Sequence, residues 1–154
     1  MSWQDYTIPL IRNYIGDPAG TTYSDSRLTN IAITSAHSLL NEISFQNDYA
    51  IDVPSSSISP DPTSDSNFIN LLSMKSALLI VNSEARTKSL QIFSIKDGPS
   101  SISTGESSKA LLNLSKVLSD AYNKAKIDYI AGNSDGATSV AGPLCGPSKP
   151  SIFG

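Results

Sequence analysis

The chain has 154 residues, a formal net charge of −3 and a pI near 4.9. That length supports one domain with its own core, and the acidic balance speaks against a surface that grips nucleic acid by neutralising phosphates. Charged residues are 16% of the chain, below the roughly 25% of an ordinary globular protein; Ser, Thr and Asn stand in their place, which suits either a solvated surface or one packed against other proteins.

The first predicted element is a short helix over 7–15. Pro9 is tolerated near a helix start, where a missing N–H has no partner anyway. Ile8, Ile11 and Ile15 give it one apolar edge, and Gly16-Asp17-Pro18 stops it. Ser24 or Asp25 can cap a second helix over 25–44. Its main face is Leu28, Ala32, Leu39 and Ile43, with Ile31 and Ala36 beside them. Ile33 and Leu40 form a flanking stripe that a monomer is not expected to bury completely, so both are subunit-interface candidates. Tyr49 to Val53 alternates as a short strand does, and Pro54 ends it. Ser55 to Pro62 reads as a loop, since two prolines at that spacing oppose helix and central strand alike.

Ser64 or Asp65 caps the central helix, expected over 65–88. Between Phe68 and Ala85 it shows two apolar stripes: Leu71, Met74, Leu78, Val81 and Ala85, and then Phe68, Leu72 and Leu79. Leu78-Leu79-Ile80-Val81 leaves little polar face, so this helix should touch neighbours on several sides. Residues 90–95 read as a second strand, pairing antiparallel with 49–53 and ended by the turn at Lys96 to Pro99. Ser101 to Ser103 is a candidate third strand. The last helix is expected over 105–131, with Leu111, Leu114, Val117, Leu118, Ala121, Tyr122, Ala125 and Tyr129 in one arc and Gly132 as its stop. The expected fold is therefore mainly α, a four-helix bundle with a small antiparallel β element, over 1–132. From Asn133 the chain turns rich in Gly, Pro and Ser and reads as an extended arm, 133–154. Its isolated apolar residues Val140, Leu144, Ile152 and Phe153 fit either an inert tail or anchors for a partner's groove.

Candidate chemistry is sparse. His37 is the only imidazole and falls on the polar side of its helix, which favours a surface histidine over a general base. Cys145 is the only cysteine, so no internal disulfide is possible; nothing near it in the arm would lower its pKa. Asp61 and Asp65 are explained by turn and capping roles, and a calcium loop would need more oxygen ligands at set spacing. Gly132 to Gly136 lacks the lysine and the following helix of a phosphate loop. Arg27, Lys75, Arg86 and Lys88 are dispersed, as solubilising or ion-paired residues would be. No catalytic residue, cofactor or metal site is expected. The stretch MSWQDYTIPL lacks a basic region followed by an apolar one, so no secretory leader is expected. No apolar run approaches the roughly 20 residues of a membrane span.

Four passages, in order, carry a resemblance. They are Thr22-Tyr23-Ser24-Asp25-Ser26-Arg27-Leu28, the loop Ile58-Ser59-Pro60-Asp61-Pro62-Thr63, the helix opening Phe68-Ile69-Asn70-Leu71 with Lys75-Ser76-Ala77, and Ile95-Lys96-Asp97-Gly98-Pro99-Ser100-Ser101-Ile102. This series resembles the small head–tail connector (adaptor) proteins of tailed bacteriophages, including phages of aquatic and cyanobacterial hosts. The resemblance spans about residues 5 to 132 and implies a compact helical bundle with a small β element. It also implies a structural, non-enzymatic protein of the virion neck, made in the host cytoplasm. Such proteins form a ring, usually of twelve copies, under the portal protein, with a tail-side neck or tail protein below. DNA passes through the channel without specific binding, and no membrane is involved. Portal docking by a C-terminal segment, carried over, falls on Asn133 to Gly154, with Val140, Pro143, Leu144, Ile152 and Phe153 as the contacts. A tail-terminator or other head-completion protein, and a non-viral helical protein-binding module, are the alternative expectations.

Overall fold

The computed structural model describes residues 2–94 and 101–133. Among these the chain is helical apart from one small hairpin, in the order α1 (Trp3–Ile15), α2 (Asp25–Glu42), β1 (Ala50–Asp52), β2 (Ser57–Ser59), α3 (Ser66–Ser94) and α4 (Ser101–Asn133). The expected class, mainly α with a two-stranded antiparallel sheet, is the one observed. No helix among the described residues is long and apolar enough to cross a membrane.

α1 begins four residues earlier than expected. A reciprocal cap sets its start: the Ser2 hydroxyl accepts from the Gln4 N–H (3.4 Å), and the Asp5 carboxylate accepts from the Ser2 N–H (2.7 Å). Pro9 thus lies inside the helix and leaves the Asp5 carbonyl without its N–H partner. Both residues are exposed, so water can take that carbonyl. Gly16 closes α1 in the left-handed region, φ 76°, which costs glycine nothing. Ser24 caps α2, accepting from the Arg27 N–H at 3.3 Å.

The sheet uses a different partner from the one expected. Ala50, Ile51 and Asp52 pair with Ser59, Ile58 and Ser57, whereas residues 90–94 are the last turns of α3. Two physical reasons decide this. Pro60 and Pro62 lie beyond β2 rather than within it, so they remove no ladder bond. And no glycine or proline interrupts the chain between Pro62 and Gly98, so a helix capped at Asp65 propagates at one hydrogen bond per added residue. Ser101 to Ser103, the candidate third strand, opens α4, and Gly105 is interior to it. Ile95 and the turn at 96–99 lie outside the described residues, as does the arm from residue 134.

The hairpin closes over the core. Ile58 is its buried residue, with Ser57 and Ser59 outward, and Ser56 turns the chain at φ 52°. The Ser56 hydroxyl donates to Asn30 Oδ1 at 3.4 Å, holding the hairpin against α2. That placement corrects the reading of Ile33. Ile33 is 1% exposed in the cluster that includes Ile58, and Leu40 packs against the same cluster with Ile51. Ile33 is therefore not left for a neighbouring subunit, whereas Leu40 stays half-buried.

α3 is the central helix, packed by α1, α2 and α4. Phe68, Leu71, Leu72, Ala77, Ile80, Val81 and Ala85 are buried. Phe68 sits in an aromatic group, 4.3 Å from the Tyr49 ring and 5.0 Å from Phe45, which in turn lies 5.1 Å from Tyr129 of α4. Of the arc expected on α4, Leu118 and Tyr122 are buried and Leu111, Leu114, Ala125 and Tyr129 half-buried, whereas Val117 and Ala121 face out. At 29 and 33 residues, α3 and α4 run about 44 and 50 Å at 1.5 Å per residue. The 13 and 18 residues of α1 and α2 reach only about 20 and 27 Å.

Candidate functional site

Two polar nodes tie the helices together. The first lies in the α1–α2 connection. Arg12 and Asp17, with side chains 12% and 5% exposed, pair at 2.9 Å. The Asp17 carboxylate also accepts the N–H groups of Thr21 (2.9 Å), Thr22 (3.2 Å) and Tyr23 (3.1 Å). The second guanidinium nitrogen of Arg12 donates to the Tyr23 carbonyl (2.8 Å) and to Asp25 (2.5 Å). Gly20, at φ 69°, lets the chain pass the guanidinium, which would lie 3.0 Å from a Cβ there. The connection between α1 and α2, residues 16–24, is thus folded around one ion pair.

The second node joins α2, α3 and α4. The Glu42 carboxylate accepts from Lys75, from the Tyr122 hydroxyl at 2.7 Å and from Lys126 at 3.4 Å. Lys75 also stands 5.1 Å from the centre of the Tyr122 ring. Burial pushes the Glu42 carboxyl up, but hydrogen bonds from Lys75 and Tyr122 and the charges of Lys75 and Lys126 outweigh it, holding the group at about 2. Burial, followed by the Glu42 carboxylate beside it, raises the Tyr122 phenol well above its ordinary value. Beyond the node, Tyr49 is pushed up to about 12. Burial comes first; the Asn47 amide works against the rise, and Asp65 works with it.

The residues singled out for chemistry take ordinary places. His37 is exposed on α2, and its backbone carbonyl accepts from Asn41 at 3.1 Å. Asp61 caps the 3-10 turn Pro62–Ser64 through the Thr63 N–H at 2.9 Å. Asp65 caps α3 through the Phe68 N–H at 3.0 Å and accepts from Tyr49 at 2.9 Å. Among the described residues no three His, Cys, Asp or Glu side chains gather as metal ligands would. Lys75 is ion-paired, whereas Arg27, Arg86 and Lys88 are exposed and form no ion pair among the described residues. Cys145 and the arm contacts Val140, Pro143, Leu144, Ile152 and Phe153 lie outside the described residues.

Hollows with apolar side chains in their walls lie along the helix seams. Between α3 and α4 a hollow of about 520 Å³ is lined by Asn82, Ala85, Arg86, Ser89, Leu90 and Leu112. Leu90 is 71% and Leu112 55% exposed. Between α2 and α3 a second hollow, about 350 Å³, has Arg27, Asn30, Ile31, Thr34, Leu79 and Ser83 among its lining residues. A third of about 490 Å³ lies beside Tyr6, Pro9 and Leu10 of α1 and Ile69 of α3. Leu79, assigned by periodicity to a buried stripe, is 37% exposed in the second of these. Such surfaces offer contact area and one-sided hydrogen bonding, the means of holding another protein. Compared with protein-family models, with curated proteins and with solved structures, the chain gave no match.

Proposed function

We propose that this chain is a structural subunit of a phage neck: an adaptor, without catalytic activity of its own, that sits as a ring between the portal and a tail-side protein and extends the DNA channel. The observation that carries this reading is the uncovered apolar seam of the long α3–α4 pair, where Leu90 and Leu112 stand 71% and 55% exposed. The ion pairs among the described residues tie elements of the bundle together, at Arg12 and at Glu42. Large exposed apolar side chains grouped along one seam mark a place for another protein rather than for a reacting molecule. The helical bundle with a small β element is also the architecture that the resemblance implies. An acidic chain of net charge −3 would let DNA slide past without holding its phosphates.

In this reading the seam meets a neighbouring subunit, and residues 133–154 reach the portal through Val140, Pro143, Leu144, Ile152 and Phe153. Assembly on purified portal rings of the encoding phage tests it. The parent chain should join the rings in a fixed ratio. A Leu90→Glu, Leu112→Glu double variant should keep its helical circular dichroism, since both side chains are already in water, and yet fail to join. If the double variant assembles as well as the parent, the seam is not a subunit contact and the proposal loses its support.

A further inference from the structure

We propose that the groove between α2 and α3 is a docking site for an acidic peptide segment of a partner protein. One large apolar side chain of that segment would rest on Ile31, Leu79 and Ile80, and its carboxylates would meet Arg27 and Lys88. The inference does not depend on which assembly the chain joins.

Two adjoining hollows make the groove. The apolar one, about 350 Å³, has Ile31 on one wall and Leu79 and Ile80 on the other; it shares Arg27 and Ser83 with a polar one of about 240 Å³ that runs on to Glu84, Thr87 and Lys88. Leu79 is 37% exposed on the wall of the first, apolar surface that the described helices leave uncovered.

The charge at the other end selects the occupant. Arg12 is committed to Asp17 and Asp25, and Lys75 and Lys126 to Glu42. Arg27 and Lys88 have no such partner among the described residues. The Arg27 guanidinium lies 4.8 Å over the Tyr23 ring, a contact that orients it while leaving its N–H groups available. Glu84 is the acid in this groove, and it already accepts the Tyr23 hydroxyl. Glu84 keeps its own charge, so Arg27 and Lys88 leave this end of the groove net positive beside a partly uncovered leucine, on a chain of net charge −3. Charge complementarity calls for carboxylates next to an apolar side chain, an arrangement that also steers encounter.

The probe is the peptide acetyl-Asp-Glu-Leu-Phe-Glu-Asp-amide, titrated into the isotope-labelled full chain and followed by amide and methyl chemical shifts. Saturable shifts are expected at Ile31, Leu79, Ile80 and Ser83, weakening as salt is raised. Arg27→Glu with Lys88→Glu should weaken binding by about tenfold, the scale of two exposed ion pairs turned repulsive. Leu79→Ser should weaken it independently of salt. These three positions are solvent-facing, and unchanged circular dichroism will show that the variants fold. The proposal is overturned if millimolar peptide moves none of these resonances, or if the shifts gather at Leu90 and Leu112 instead. It is also overturned if charge reversal leaves binding unchanged, or if the same resonances move with protein concentration alone, which would make a second copy the occupant.

Discussion

Replacing Asp17 by Ala would strand the Arg12 guanidinium together with the N–H groups of Thr21, Thr22 and Tyr23. Losing one member of a buried, hydrogen-bonded ion pair costs about 3–5 kcal/mol, so the urea midpoint of Asp17→Ala should fall accordingly. Gly20→Ala tests the same loop from the backbone side. A β-carbon at φ 69° costs about 1–2 kcal/mol, and it must also displace a guanidinium 3.0 Å away. At this scale the caps were legible in the sequence, because Ser24, Asp61 and Asp65 act on N–H groups two or three residues away. The Arg12–Asp17 node was not. Asp17 reads equally well as a turn residue, and its partners across the loop are set by how α1 meets α2, which no local pattern encodes. Leu79 was misplaced for a related reason: periodicity says which residues share a stripe, and neighbours decide whether the stripe is covered.

Among the elements, the Glu42 node sets how α2, α3 and α4 respond to acid. The folded-state pKa of about 2 lies below the ordinary 4.5, so the ionised form is favoured by folding. Its contribution is present in full above about 4.5 and is lost as pH falls toward 2. Urea titrations across that window should show stability falling, and Glu42→Gln should be less stable at neutral pH and flatter over the same range. Tyr49 works in the opposite direction. Its neutral form is favoured by folding, so its contribution is lost as pH rises from 10 through about 12, and Tyr49→Phe should remove that part of the alkaline slope. The four helices were readable from apolar spacing and punctuation, but α1 and α4 each begin four residues earlier than expected and α3 runs six further; at α1, Pro9 drew attention from the cap at Ser2. The strand pairing was not readable. Leu90 to Ser94 alternates like a strand, but a helix already running from Ser66 with no breaker in its path carries straight through it.

For the molecule as a whole, the expectation of a helical bundle with a small β element held, while of the two residues picked for subunit contact Ile33 is buried and Leu40 half-buried. Ile33 looked like surplus apolar surface because Ile58, which shares its cluster, lies on a strand that was read as loop. Leu90 of the uncovered seam fell in a segment read as a strand, and Leu112 lay outside the arc assigned to the buried face of α4. The neck proposal also divides labour along the chain, with the bundle folding by itself and the residues beyond it reaching the portal. A chain ended after Asn133 should therefore keep its helical circular dichroism and cooperative unfolding but no longer bind portal rings; undiminished binding would remove the arm from the account. The most direct test of the central proposal is mass photometry of the full chain with purified portal rings. The account predicts one discrete, saturating mass increment per ring, matching one copy for each portal subunit. A portal mass that stays unchanged at every concentration, beside a free monomer, would contradict it.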